Sequence, residues 1–171
     1  MYDIYSNARN DRLRFTLGKS GERKLIVIGL NPSTATKERS DTTVAKVQGV
    51  AERNGFDGFV MLNLYPVRST DFNALPQLAD GAAFSENLNR IETLVTTERS
   101  PVLWAAWGES VLARSYFTDA IRELSTRLAP CEPSWRHFGP LTLSGHPRHP
   151  TRLQYAWSFS KFDMEQYVQT L

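Results

Sequence analysis

The stretch Lys24-Leu25-Ile26-Val27-Ile28-Gly29-Leu30-Asn31-Pro32-Ser33 decides the fold of this chain. Its first seven residues are nearly all apolar and do not alternate with polar residues. A continuous apolar run of this length predicts a strand buried on both faces, as in a parallel sheet. The Asn-Pro-Ser that follows predicts a turn, because these residue types favour turns on steric grounds.

Three further apolar runs repeat this pattern, at residues 58–64, 101–107 and 138–143. Apolar residues at helical spacing fill the intervals, at residues 42–54, 84–95 and 110–128, and residues 14–17 resemble a short extra strand. Alternating strands and helices predict an α/β fold. We expect three α/β/α layers, with a central four-stranded parallel sheet between the helices.

Length and composition limit the classes of protein to which the chain can belong. Its 171 residues suit one domain, so we expect a single domain over 1–171. The net charge of +2 is too balanced for a binder that relies on a basic tail, so any basic surface must be local. One cysteine, Cys131, excludes an internal disulfide framework. Without an apolar run of about 20 residues or a signal-peptide pattern, we expect a cytoplasmic protein, a monomer with no membrane partner.

A local basic surface is predicted near the end of the chain. The segment from Pro133 to Phe162 contains no Asp or Glu, but it contains four Lys or Arg, all three histidines and two tryptophans. This composition is typical of a surface that binds a phosphate backbone. An ordinary solvated loop is the alternative interpretation.

Polar residues follow the predicted strands, at the edge where α/β sheets bind ligands. Asn63 comes after four large apolar residues, where its amide must find a hydrogen-bond partner. The amide either caps a strand edge or binds a ligand, and its planar donor and acceptor suit a nucleobase edge.

A zinc site is a weaker alternative. Cys131, His137, His146 and His149 are candidate ligands, but their spacing matches no compact ligand motif. Two prolines beside the last two histidines also restrict the loop. The chain has no nucleophile-elbow, Walker or dinucleotide-binding glycine pattern. We therefore expect neither a metal nor an organic cofactor.

Taken together, the strand ends resemble the uracil-DNA glycosylase superfamily from about residue 24 to 155. Gly29-Leu30-Asn31-Pro32-Ser33 resembles the Gly-x-Asn-Pro motif of the mismatch-specific and single-strand-selective branches. Leu62-Asn63-Leu64-Tyr65-Pro66 resembles the segment whose Asn reads the base. Residues 103–108 resemble the hydrophobic-Trp-Gly strand end, and His149-Pro150-Thr151-Arg152-Leu153 resembles His-Pro-Ser-x-Leu. The chain is also similar to a bacterial and phage domain family of unknown function.

The chain departs from the superfamily pattern at three points. Ser33 stands where Gly or Tyr is usual, and Thr151 stands in place of Ser. His146-Pro147 is a second candidate for the motif histidine, three residues before His149. We prefer His149, because only this register brings Leu153 to the position of the residue that enters the base stack.

The resemblance implies a monofunctional glycosylase that removes a base from DNA and leaves an abasic site. Asn31 would position the attacking water, and His149 would donate a hydrogen bond to the base O2 as charge builds there. Asn63 would bind the Watson–Crick edge of the extruded base. Ser33 and Tyr65 would complete the base pocket, with Tyr65 or Phe15 as candidates to stack on the base.

The same resemblance assigns the DNA contacts. Leu153, with Arg152, would fill the gap that the extruded base leaves in the stack. Arg148, Thr151, Arg152 and Ser33 are candidates to hold phosphates.

The small Ser33 predicts a pocket that admits a group on pyrimidine C5. The substrate would then be uracil or a modified pyrimidine such as phage DNA carries, with a role in defence against phage. Two alternatives stay open: a module that binds nucleic acid or nucleotide without catalysis, and an N-glycosidase acting on free nucleotides.

Overall fold

The computed structural model describes residues 1–171, apart from the side chain of Phe72. Its strands are β1 (Ile4–Ala8), β2 (Leu13–Lys19), β3 (Lys24–Gly29), β4 (Gly58–Asn63), β5 (Val102–Ala105), β6 (Ser134–Phe138) and β7 (Phe159–Lys161). Its α-helices are α1 (Thr42–Arg53), α2 (Gly81–Thr96), α3 (Ser115–Leu128) and α4 (Met164–Gln169). Short 3-10 helices lie at Phe72–Ala74, Glu109–Ala113, Ala129–Cys131 and Pro150–Arg152. Within this described part, each helix is too short or too polar to cross a lipid bilayer.

The strands form one mixed, seven-stranded sheet in the order β1-β2-β4-β3-β5-β6-β7. Strands β4, β3, β5 and β6 are parallel, whereas β2 and β1 extend one edge and β7 extends the other in antiparallel pairing. The α/β class is confirmed. The predicted central four-stranded parallel sheet is wrong, because the four parallel strands are only part of one seven-stranded mixed sheet. The edge strands escape prediction because β1 (Ile-Tyr-Ser-Asn-Ala) and β7 (Phe-Ser-Lys) are short and half polar.

Helices cover the sheet on both faces, which explains the continuous apolar run in β3. Leu25 and Val27 pack in the cluster under α1. Ile26 and Ile28 point the other way, into the cluster formed with α2 and α3. The residues from Leu25 to Ile28 therefore each meet a hydrophobic layer, and the charged Lys24 lies at the first position of the strand, where it pairs with Glu98.

The N-terminal turn of helix α1 forms one wall of the candidate site. The Asp41 side chain caps the helix by accepting a hydrogen bond from the Val44 backbone N–H at 2.8 Å. A cap of this kind typically stabilises a helix by about 1 kcal/mol. Because α1 runs antiparallel to the strands it covers, its first residues lie at their carboxyl ends.

Two predicted elements are wrong in their bounds. The last central strand is Ser134–Phe138 rather than 138–143, because the chain turns at Gly139, whose φ of +71° favours glycine. The predicted helix 110–128 is broken at Arg114, which is extended (φ −146°, ψ 138°), so α3 begins only at Ser115.

Candidate active site

A cavity of about 700 Å³ opens at the carboxyl ends of β3 and β5. Its walls also include the N-terminal turn of α1 and the loop that contains the 3-10 helix Pro150–Arg152. Six of the residues singled out from the sequence line it: Asn31, Ser33, Arg148, His149, Thr151 and Arg152. The strand ends therefore bring together residues that lie more than a hundred positions apart in the chain.

The carboxamide of Asn31 is held in one orientation. Its Nδ2 donates to the backbone carbonyls of Pro32 and Ser69, each at 3.0 Å. Only the amino group can donate to a carbonyl, so the two contacts fix which end of the amide is which. Both amide protons are thereby used. The Oδ1 atom makes no hydrogen bond to the described residues and is left as a fixed acceptor on the cavity wall.

The His149 ring is held as a neutral donor. Its Nδ1 lies 2.9 Å from the Thr151 hydroxyl and accepts from the Thr151 backbone N–H at 3.4 Å. A backbone N–H can only donate, so the proton of the neutral ring is on Nε2. Burial lowers the pKa of His149 to about 4, which keeps the ring neutral at physiological pH.

Glycine is required where the His149 loop meets β5. Gly108 has a φ of +76°, which L side chains rarely adopt, and a Cβ there would lie 3.0 Å from the Cβ of His149. The strand end and the histidine loop therefore approach each other at backbone distance. This close approach brings the loop against the cavity.

Asn63 is buried without hydrogen-bond partners for its side chain. It is 1% exposed, and neither Oδ1 nor Nδ2 has a partner among the described residues. In the parallel register it lies beside Gly29, where a Cβ would come within 2.9 Å of Oδ1. An unpaired buried amide costs about 1–3 kcal/mol, so the Asn63 side chain does not itself stabilise the fold. Asn63 does not itself line the cavity.

The backbone of this strand end is held by α2. The Nδ2 of Asn87 donates to the carbonyls of Asn63 at 2.8 Å and Leu64 at 3.2 Å. The sequence does not single out Asn87, because a lone polar residue in a helix gives no sign that it faces the sheet. Its buried position in α2 is the signal that only the structure supplies.

Two predicted site residues lie in the core instead. Tyr65 is buried against Tyr116, with ring centroids 4.4 Å apart, and its hydroxyl accepts from the Asp80 backbone N–H at 2.8 Å. Leu153 is 6% exposed and packs in the apolar cluster under α1. Neither side chain lines the cavity, so the structure does not bring Tyr65 and Leu153 together with the other predicted site residues.

The alternative candidates for the stacking aromatic and for the motif histidine are also buried. Phe15 is buried beneath the Arg90 guanidinium, 4.3 Å from its ring centroid. His146 is buried, and its Nδ1 lies 2.7 Å from the Tyr167 hydroxyl, which also accepts from the Trp107 indole N–H at 3.1 Å. His146 therefore belongs to a network that ties α4 to the end of β5, and burial lowers its pKa.

Several cavity residues escaped sequence analysis. The hydroxyl side chains of Thr43, Ser69, Ser110 and Thr142 line the cavity, and Glu109 contributes a carboxylate. Glu109 and Ser110 directly follow the strand-ending Gly108, and this position is the sequence signal that points to them. Thr142 lies in a loop that was predicted to be strand.

The candidate zinc ligands do not converge. Within the described residues, no three His, Cys, Asp or Glu side chains lie close enough to bind one metal ion. The thiol of Cys131 instead donates to the Leu128 carbonyl at 3.0 Å. His137 points to the Gly139 carbonyl, with Nδ1 at 2.8 Å from the oxygen.

Comparison with known proteins identifies one family. The family described as "Protein of unknown function (DUF1643)" matches residues 14–151, which include every candidate residue except Arg152 and Leu153. No curated protein matches the chain. No solved structure matches it either.

Proposed function

We propose that this chain, which belongs to that family of proteins of unknown function, is a monofunctional DNA glycosylase that removes uracil or a modified pyrimidine. One observation carries the proposal. A fixed acceptor, Asn31 Oδ1, and a fixed donor, the Nε2–H of neutral His149, line the same cavity. Hydrolysis of an N-glycosidic bond requires this pair: an acceptor for the water and a donor for the leaving base.

The reaction breaks the bond between the sugar C1′ and the pyrimidine nitrogen. Both electrons of that bond leave with the base, and His149 Nε2–H donates to the base oxygen on which the negative charge builds. Asn31 Oδ1 accepts a hydrogen bond from a water, whose oxygen then bonds to the electron-deficient C1′. One proton of that water is released and neutralises the departed base. An amide is sufficient here because it orients the water without having to remove its proton.

Asn63 supports recognition of a pyrimidine. Its buried Oδ1 and Nδ2 offer one acceptor and two donors, which complement the N3–H and O4 of uracil. The Met61 methyl and the amide oxygen occupy the space beside Gly29, so the extruded base would reach the amide only if the Met61 side chain moved aside. Base binding would then satisfy the polar atoms that the protein leaves unpaired.

DNA is the proposed partner because a base must be extruded before it can enter this site. Leu143 is fully exposed and directly follows the cavity residue Thr142. Its turn is held by two hydrogen bonds, from Gly145 N–H to Thr142 O at 3.0 Å and from Thr142 N–H to His146 O at 2.9 Å. A rigid, exposed apolar side chain beside a base-binding cavity is suited to enter the base stack. We therefore assign this role to Leu143 rather than to the buried Leu153.

Ser33 supports a pocket that is not restricted to uracil. Its side chain is small and lines the cavity, whose volume exceeds that of one pyrimidine ring. We propose that a group on C5 is tolerated, as in the modified pyrimidines of phage DNA, and that the protein acts as a cytoplasmic monomer. Defence against phage would then be its biological role.

A panel of oligonucleotides tests the proposed function. Otherwise identical duplexes carry uracil, 5-hydroxymethyl or glucosylated pyrimidine at one position, and alkali cleaves the strand wherever an abasic site has formed. We expect cleavage of at least one substrate by the protein, and cleavage that is about 10²–10³-fold slower by Asn31→Ala. Binding of every duplex without cleavage would instead identify a non-catalytic binding module, and cleavage of uracil alone would refute the C5-tolerant pocket.

A further inference from the structure

Four cations lie in or near the cavity without a carboxylate partner. The ion pairs of the described residues lie on other surfaces and join Arg9 to Asp80, Lys24 to Glu98, Arg68 to Asp11, Arg90 to Glu86, Arg122 to Asp119, and Arg127 to Glu92 and Glu123. Among the described residues, no carboxylate lies within 4.0 Å of Lys46, Arg53, Arg148 or Arg152. Their charges are therefore available to an external anion.

Two of these cations are held on either side of one tyrosine along α1. The Lys46 ammonium lies 3.9 Å from the Tyr155 ring centroid, and the Arg53 guanidinium carbon lies 4.0 Å from it. Lys46 also donates to the Leu153 carbonyl at 3.3 Å, and Arg53 donates to the Gly49 carbonyl at 3.0 Å. These neighbours orient the cations without neutralising them. We call Lys46, Arg53 and Tyr155 the α1 ridge.

The ridge depends on a glycine inside the helix. A Cβ at Gly49 would lie 2.6 Å from the Tyr155 hydroxyl oxygen. Glycine in a helix interior costs about 1 kcal/mol relative to alanine, so its presence is unfavourable for α1 itself. What it permits is the close packing of the tyrosine ring between the two cations.

The ridge is continuous with the cavity. Thr43, in the first turn of α1, lines the cavity, and so does Arg152, which immediately precedes the Leu153 carbonyl bound by Lys46. The Lys46 ammonium and the Arg53 guanidinium carbon lie at most about 8 Å apart, because both are within 4.0 Å of the same ring centroid, and this spacing matches about two nucleotides of a DNA strand. The acidic side chain of α1, Glu52, lies off this line and accepts from Gln48 at 2.8 Å.

We infer that the α1 ridge binds the phosphate backbone of the DNA strand next to the nucleotide in the cavity. This inference rests on the proposed function for the choice of DNA, since an acidic protein segment would also be attracted by unpaired cations. The continuity of the ridge with a cavity suited to a nucleotide favours DNA. The substrate is therefore a polymer, and not a free nucleotide, which would fill the cavity without reaching Arg53.

The test measures affinity against salt concentration, using a labelled DNA duplex that contains only ordinary bases. The ridge variant is Lys46→Gln with Arg53→Gln. The control variant is Arg122→Gln with Arg127→Gln, which removes the same two charges from the ion-paired surface of α3. Thermal melting of all three proteins checks that each variant is folded.

We expect the ridge variant to bind DNA about tenfold or more weakly at low salt, with a salt dependence shallower by about 2 in log–log slope. The control should change that slope by much less. Equal losses in the two variants, or an unchanged slope in the ridge variant, would overturn the inference. Because the duplex contains only ordinary bases, its binding does not depend on excision, and the binding test is independent of the test for glycosylase activity. Ridge-dependent affinity without base removal refutes only the glycosylase, whereas base removal with an unchanged slope refutes only the ridge.

Discussion

At the scale of single residues, the protonation state of His149 determines how the proposed reaction depends on pH. Its Nδ1 accepts from the Thr151 backbone N–H, so a second ring proton would have to displace that donor. Burial opposes the charged form as well and lowers the pKa to about 4. Because the folded-state pKa lies below the unfolded value of about 6.5, His149 adds stability that is complete above pH 6.5 and is lost as pH falls towards 4.

We therefore predict base excision at a constant rate from about pH 8 down to about pH 5, with a decline only as pH approaches 4. Single-turnover rates across this range measure it, with circular dichroism at each pH to verify the fold. A His149→Gln variant, which keeps a donor but does not titrate, should be slower without showing this decline. A rate that falls through pH 6.5 would mean that the imidazole titrates freely and is not held as described.

Asn63 and Asn87 form a matched pair of buried amides. The side chain of Asn63 has no partner, whereas Asn87 makes two hydrogen bonds to backbone carbonyls. We predict that Asn63→Ala changes the free energy of unfolding by less than about 1 kcal/mol, while Asn87→Ala costs about 2–3 kcal/mol. Urea denaturation measures both values. If Asn63→Ala proved the more damaging to stability, its amide would have a structural role and its assignment to base recognition would fail.

At the scale of elements, the loop after β6 and the end of the 3-10 helix Pro150–Arg152 present two leucines differently. Leu143 is exposed on a hydrogen-bonded turn, and Leu153 is buried under α1. We predict that Leu143→Ala slows excision from duplex DNA more than from single strands, because only a duplex resists base extrusion. Leu153→Ala should instead lower the free energy of unfolding by about 2–5 kcal/mol. Equal slowing on both kinds of DNA by Leu143→Ala would refute a role in the base stack.

The sequence predicts elements well where the local pattern and the tertiary environment agree. Strand β3 is apolar from Leu25 to Gly29 because both of its faces are covered, and α1 begins directly after Asp41 because that side chain caps it. The run 138–143 misleads because its apolar residues lie in a loop, after Gly139 has turned the chain. Strand β6 (Ser-Trp-Arg-His-Phe) is mostly polar and lacks the continuous apolar run that marks its neighbours.

The sequence predicts which segments meet at the candidate site, but it does not predict the direction in which each side chain points. Asn31 and His149 could be identified because each follows a predicted strand, and strand ends in a parallel sheet meet at one edge. Tyr65 could not be placed, because the turn after β4 directs its ring towards α3 rather than the cavity. Leu143 was missed for the converse reason, since a residue assigned to a buried strand is not expected to be exposed.

At the scale of the whole molecule, the charge distribution agrees with a polyanionic substrate. A net charge of +2 gives no strong overall attraction to DNA, so orientation must come from where the unpaired cations lie. Arg148 and Arg152 border the cavity, and the α1 ridge continues from it. DNA should consequently dock with this one face, which brings the extruded base to the cavity.

The central claim is that Asn31 and His149 together hydrolyse a glycosidic bond. The most direct measurement is the single-turnover release of free base from the preferred oligonucleotide, followed by chromatography. We predict that Asn31→Ala and His149→Ala each slow release by about 10²–10³-fold while binding DNA within a few-fold of the original protein. His146→Ala, which alters only the network with Tyr167, should release base at close to the original rate wherever it remains folded. Release at the original rate by either of the first two variants, or its loss in His146→Ala alone, would contradict the account.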